Sequence, residues 1–339
     1  MSCTNPYPPA PTTRSLTHYW PRPVHELAQL TPPNFTAEEK ERHRIYCYLL
    51  MALLADYWTP RKSSKTSSPG ASPLYLGHNI AALAVNEGGE ILGFDFNHNE
   101  IFNSSVEHAE ARLLRRLFSR PDYLFPTAYF TFPRGSGSGL FTAIIDAAKD
   151  AFENIAAKVE EQKSHYSNAL KNVTIYTSLE SCAQCSGMMA LGAVKRVFYL
   201  QPDSGQNAVG NILYNLNLGS SCDAPEPVPA CAIDLKQFDA LEQEYSKFSV
   251  AFTAPTKSTL AVTKQKPASI TSFLCTDSAR DIFNRTRKAL QGAQLKHPTF
   301  NPDPSSPGRF LTNAEVLEHA KTFWSVARSH GRRGTPHPR

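Results

Sequence analysis

Apolar residues recur at helical spacing over 36–58, where Tyr46, Leu49, Leu50, Leu53 and Leu54 fall on one face to pack on a sheet. Thr36 with Glu39 three residues on has the form of a capping box, which places the helix start there. The next apolar runs, 80–85 and 91–96, are short and separated by Glu87-Gly88-Gly89-Glu90, so they predict a hairpin. Helical spacing returns over 108–118, with Leu113, Leu114 and Leu117 on one face and Arg112, Arg115 and Arg116 on the other. That basic face is either solvated or partner-facing. Further on, a strand is expected at 173–178, a helix opening at Cys182, and a fourth strand at 196–200. Residues 201–218 are polar with small side chains, and 224–229 read as a proline-rich break. A helical pattern over 235–248 then leads to a fifth strand at 250–253, parallel to the fourth because a helix between two strands is a crossover. Two more helices are expected, at 278–291 and at Asn313–Ser329.

Three stretches interrupt these elements. Residues 1–35 are rich in proline, 61–73 form a Ser/Pro/Gly linker, and 119–172 read as an insertion. The first half of the insertion is dense in aromatics, a wall for a base or simply core, and its second half is an amphipathic helix over 141–170. The chain divides accordingly into an N-terminal segment, helix and linker (1–73), a central domain (74–254) and a basic helical extension (255–339).

With 339 residues, 41% of them hydrophobic, the chain is long enough for a full core. Its longest apolar run, 45–58, is interrupted by Asp56 and too short to cross a bilayer, and its start lacks the apolar stretch of a secretory signal. Seven cysteines suit a reducing compartment better than a disulfide framework. The expectation is a cytoplasmic protein without a membrane partner. The net charge of +5 conceals an asymmetry: residues 251–339 carry 14 Lys and Arg against 5 Asp and Glu, which leaves 1–250 at −4. A basic extension on a near-neutral body is either a solvated tail or a contact for a polyanion.

The chemistry concentrates in two places. Cys182 and Cys185 lie one turn apart at a helix N-terminus, where free N–H groups and the positive helix end stabilise thiolates. Alone, such a pair also fits a redox motif. His108, at the head of the helix over 108–118, completes a set of one His and two Cys, which leaves a fourth position open as catalytic zinc sites do. Glu110, two residues on, is not a ligand in this scheme but a proton carrier beside the activated water.

His108-Ala109-Glu110 followed by a helix-opening Cys182-Ala183-Gln184-Cys185 resembles the zinc-dependent cytidine deaminase-like superfamily. The stretch SLESCAQCSGMMALGAVKRVFY is most similar to the tRNA adenosine deaminases and their base or deoxycytidylate deaminase relatives. The resemblance covers roughly 79–218. It implies a three-layer α/β/α sandwich with a mixed five-stranded sheet, here extended by N- and C-terminal helices. It also implies one zinc per chain on His108, Cys182 and Cys185, with Glu110 as acid and base. Asn97, eleven residues before His108, matches an Asn that contacts the nucleoside or base in adenosine and guanine deaminases; an Asn there also suits a left-handed turn. Glu180 matches a carboxylate kept behind the ligands. Relatives are often dimers, so a homodimer is expected. Ser181 departs from the family, which usually has Pro before the first Cys, although Ser suits a helix start as an N-cap. The implied activity is hydrolytic deamination of a nucleobase, with adenosine to inosine in tRNA favoured. Free cytosine or guanine, (deoxy)cytidylate, and a non-catalytic deaminase-fold partner subunit stay open as alternatives.

Overall fold

The computed structural model describes residues 23–60, 77–99, 102–118, 170–217, 224–253, 268–305 and 310–329. The expected linker (61–73) and nearly all of the insertion (119–172) lie outside the described residues. Five strands form one sheet: β1 (Ala81–Val85), β2 (Ile91–Phe96), β3 (Thr174–Thr177), β4 (Arg196–Tyr199) and β5 (Glu226–Pro229), in the order β2-β1-β3-β4-β5. β1 is antiparallel to both β2 and β3, whereas β3, β4 and β5 run parallel, so the sheet is mixed.

Adjacent residues of β3 show how helices cover both faces, because side chains alternate along a strand. Tyr176 points to helix α1 (Ala37–Asp56), where its hydroxyl lies 2.7 Å from His43 Nδ1. Thr177 points the other way, to Glu110 on helix α2 (Ala109–Phe118). Helix α3 (Ala183–Leu191) joins β3 to β4, and α4 (Val209–Asn217) joins β4 to β5. These crossovers permit the parallel pairs.

The capping box forms as expected. The Glu39 N–H donates to Thr36 Oγ1 at 3.3 Å, and the Thr36 N–H donates to Glu39 Oε2 at 2.9 Å. α1 is buried on more than its sheet face: Cys47, Leu49, Leu50, Met51, Ala52 and Leu53 have no exposed surface. Its outer side is covered by α6 (Asp277–Gln291) and α7 (Asn313–Ser329). Glu41 accepts the N–H groups of Lys296 and His297 at 2.7 and 2.8 Å, and Arg42 donates to the Leu311 carbonyl at 2.7 Å. At the far end Asp56 gathers Arg287 (2.9 Å), Arg328 (3.4 Å) and the Trp324 indole N–H (2.6 Å).

Two expectations are corrected. Residues 250–253 do not form the fifth strand; they are the last turn of α5 (Lys236–Thr253). A four-residue apolar run cannot by itself distinguish strand from helix, and here it continues an established helix. The fifth strand is instead Glu226-Pro227-Val228-Pro229, which the prolines disguised as a break. It is the edge strand: Glu226 donates its N–H to the Lys195 carbonyl. Pro227 and Pro229, in the opposite phase, take positions whose N–H would face off the sheet, where proline costs no ladder bond. The polar stretch before it holds α4.

Among the described residues no helix is long and apolar enough to cross a membrane. Cys47, Cys182, Cys185 and Cys275 are free thiols, whereas Cys231 is disulfide-bonded, which the odd cysteine count did not anticipate.

Candidate metal centre

Two helix N-termini converge at the end of β3. The His108 carbonyl accepts the Arg112 N–H at 2.9 Å and the Cys182 carbonyl accepts the Ser186 N–H at 2.9 Å, so each residue sits at the cap of its helix. His108 Nδ1 lies 3.3 Å from Cys182 Sγ and 3.7 Å from Cys185 Sγ, and the three ligand atoms all fall within 4.8 Å of one another. Zn–N and Zn–S bonds at tetrahedral angles require an N···S edge of about 3.6 Å. The two observed edges straddle that value, so one imidazole nitrogen and two sulfurs fit zinc with a fourth position left for a small molecule.

The protonation states suit a ligand set. The Cys185 thiol donates toward Cys182, which pulls the Cys182 thiol down to about 4, with further help from His108 against the effect of burial. Cys185 moves the opposite way, raised by that same hydrogen bond and by burial. His108 is raised, chiefly by its hydrogen bond to Cys182. One sulfur is thus already a thiolate and the other is a thiol that must lose its proton to bind metal.

Glu110, on the first turn of α2, is 4% exposed and reaches the same point. Its Oε1 accepts hydroxyl protons from Thr177 (3.0 Å) and Ser181 (3.2 Å), and its Oε2 lies 3.5 Å from Cys185 Sγ. Burial raises its pKa, as befits a carboxylate that carries a proton. Neither hydroxyl is evident in the sequence as a partner of Glu110. Ser181 suits a helix cap, but Cys182 takes the cap position, and the strand alternation that aims Thr177 at α2 is the available signal.

Asn97 follows β2 and is buried. Its Oδ1 accepts the Ala109 N–H at 2.7 Å, and its Nδ2 has no hydrogen-bond partner among the described residues. It does not adopt a left-handed conformation. His98 is not one of the clustered residues, and its Nδ1 lies 2.7 Å from the Phe96 carbonyl. Glu180 accepts the Asp203 N–H at 3.0 Å through Oε2, and burial raises its pKa to about 7. Its neighbours Ser181 and Ser186 join it in lining a small pocket with Val197, Tyr199 and Gly210.

On the basic face of α2, Arg112 and Arg116 are largely buried, while Arg115 stays exposed. Asp95, fully buried, binds Arg112 at 3.2 Å and Arg116 at 3.0 Å, while Glu107 takes Arg112 and Arg115 at 2.7 Å each. These arginines brace the helix against the sheet and the loop that delivers His108. On α6, by contrast, Arg280, Arg285 and Lys288 are exposed.

No family model matches the chain, and no curated protein matches it. Among solved structures, one from a study of A-to-I editing by tRNA:A34 deaminases at the wobble position of transfer RNA is 16% identical. It covers 44% of this chain and 82% of its own, with a TM-score of 0.22. A guanine deaminase from Nitrosomonas europaea is 15% identical over 64% of this chain and 93% of its own, with a TM-score of 0.28. At TM-scores this low, neither likeness bears on substrate or mechanism.

Proposed function

We propose that the chain is a zinc-dependent hydrolytic deaminase of a nucleobase, acting on adenosine in tRNA to give inosine. The observation that carries the chemistry is the convergence of His108 Nδ1, Cys182 Sγ and Cys185 Sγ with the Glu110 carboxylate, whose Oε2 lies 3.5 Å from Cys185 Sγ. His108, Cys182 and Cys185 hold the metal. When bound, zinc supplies water acidified from about 15.7 to about 7, a nucleophile at neutral pH.

The reaction adds water to the ring carbon that bears the exocyclic amine and expels ammonia, leaving a carbonyl. Glu110 takes a proton from the water at Oε2 and delivers it to the adjacent ring nitrogen. It then carries the second proton to the departing amine. Asn97 Nδ2 donates to the base and orients it, and Glu180 holds the loop before Cys182 through the Asp203 N–H. The buried, hydroxyl-lined seat of Glu110 keeps bulk water from competing for its proton.

The tRNA assignment draws support from Asn97, from the parallel pairing of β4 with β5, and from the basic residues after 250. Arg280, Arg285 and Lys288 are the proposed phosphate-binding residues on α6, and a homodimer is the proposed assembly. Removing the whole C-terminal part is the wrong test, since α6 and α7 cover α1. Replacing these three residues with Gln should weaken tRNA binding and flatten its log–log salt dependence by about 0.7–0.9 for each phosphate no longer neutralised.

The deciding experiment is mass-spectrometric detection of deamination on tRNA, single-stranded DNA, cytidine, deoxycytidylate, adenosine, adenine and guanine, with Glu110→Ala as the blank. Inosine in tRNA is the expected result. Turnover of a free base or nucleotide instead would retain the mechanism and remove the RNA assignment. No turnover by zinc-loaded protein on any of them would favour a partner subunit.

A further inference from the structure

The two oxygens of the Glu110 carboxylate have different surroundings. Oε1 accepts Thr177 Oγ1 at 3.0 Å and Ser181 Oγ at 3.2 Å, with Thr177 fully buried and Ser181 4% exposed. Oε2 faces the sulfur of Cys185. We propose that Thr177 and Ser181 form a hydroxyl clamp that fixes Oε1 and commits Oε2 to the proton transfer. They are positioning residues for the deamination proposed above, and the inference rests on that reading.

Among the described residues neither hydroxyl has another hydrogen-bond partner. Ser181 does not cap α3, because Cys182 occupies that position and makes no side-chain cap bond. It also stands where the resembling family usually has proline, a residue with no side-chain donor. Thr177 ends β3, where a valine of the same shape would suit the strand equally well. Two donors from different elements take the lone pairs of Oε1 and set the plane of the carboxylate. Oε1 therefore cannot accept a further proton without breaking the clamp. Among the described residues the side chain that Oε2 faces is Cys185, with its sulfur 3.5 Å away. The carboxylate is left with one working oxygen, aimed at the cluster.

The test uses the full chain and the variants Thr177→Val, Ser181→Ala, the double variant and Ser181→Thr. Zinc stoichiometry should be unchanged in all four. Each single hydroxyl loss should lower kcat about tenfold and the pair about a hundredfold, within the range carried by a positioned acid–base group, with KM little changed. Ser181→Thr, which keeps the hydroxyl, should hold kcat near the wild-type value. Crystal structures of the zinc-loaded proteins give a readout independent of turnover: Oε2 should face the cluster in the wild type and swing away in the double variant. A carboxylate that keeps its place without both hydroxyls would overturn the clamp, as would a double variant with the kcat of the wild type. Should the double variant fail to fold, the contrast between Ser181→Ala and Ser181→Thr decides. A wild type with ordered Oε2 and no turnover on any nucleobase would remove the deaminase reading while leaving the clamp as geometry.

Discussion

Asn97 Oδ1 accepts the Ala109 N–H at 2.7 Å, so the side chain expected to touch substrate also caps the helix that carries Glu110. The first N–H groups of a helix lack internal partners, and a side-chain acceptor there contributes about 0.5–2 kcal/mol. Asn97→Ala should therefore lower both the melting temperature and kcat. Asn97→Asp keeps the acceptor and loses the donor, so it should melt near the wild type while KM rises about tenfold, the worth of one hydrogen bond. Equal melting losses in both variants would refute the capping role.

Zinc uptake should release protons. Cys182 is held as a thiolate by the hydrogen bond from Cys185, whose own thiol stays protonated. At pH 8, titration of metal-free protein in buffers of different ionisation enthalpy should report net proton release on zinc binding, from the thiol that becomes a ligand and from water acidified on the metal. Cys182→Ala and Cys185→Ala should each abolish stoichiometric zinc, read by metal analysis after dialysis.

Asp95 is the buried counter-charge for Arg112 and Arg116. Removing one partner of a buried pair strands the others, at a cost of about 3–5 kcal/mol. Asp95→Ala should show that loss in denaturant unfolding. A loss below about 1 kcal/mol, typical of an exposed pair, would mean that the arginines find water instead.

Burial raises the Glu242 carboxyl to about 7 in the folded protein. A carboxyl raised on folding favours the native state while protonated. Its contribution is thus complete below the unfolded value near 4.5 and is lost as pH rises through 7. With allowance for partial exposure, the loss should be on the order of 1 kcal/mol. Glu242→Gln should melt above the wild type at pH 8 and close to it at pH 5. A constant difference across that range would rule out this titration.

Local signals were legible where one principle dominated. Thr36 and Glu39 define a helix start by themselves, β1 to β4 are short apolar runs, and clear turn residues separate β1 from β2. His108, Glu110, Cys182 and Cys185 were visible because metal chemistry restricts both residue type and spacing. Pro227 and Pro229 were misleading because a breaker and an edge-strand residue look alike until the strand order is known. Arg112, Arg115 and Arg116 made a basic face in sequence, yet Asp95 and Glu107 reach them only through the fold. Thr177 and Ser181 carry no motif; their meaning depends on where Glu110 arrives from another element.

The burial of α1 on both sides has a consequence for synthesis. Trp324 reaches Asp56 across 268 residues of chain, and Asn313 lies against Arg42 across 271. The first helix of the domain therefore leaves the ribosome long before its outer cover exists. During translation its outer apolar side stays uncovered until α6 and α7 are made, the general cost of contacts between distant parts of a chain.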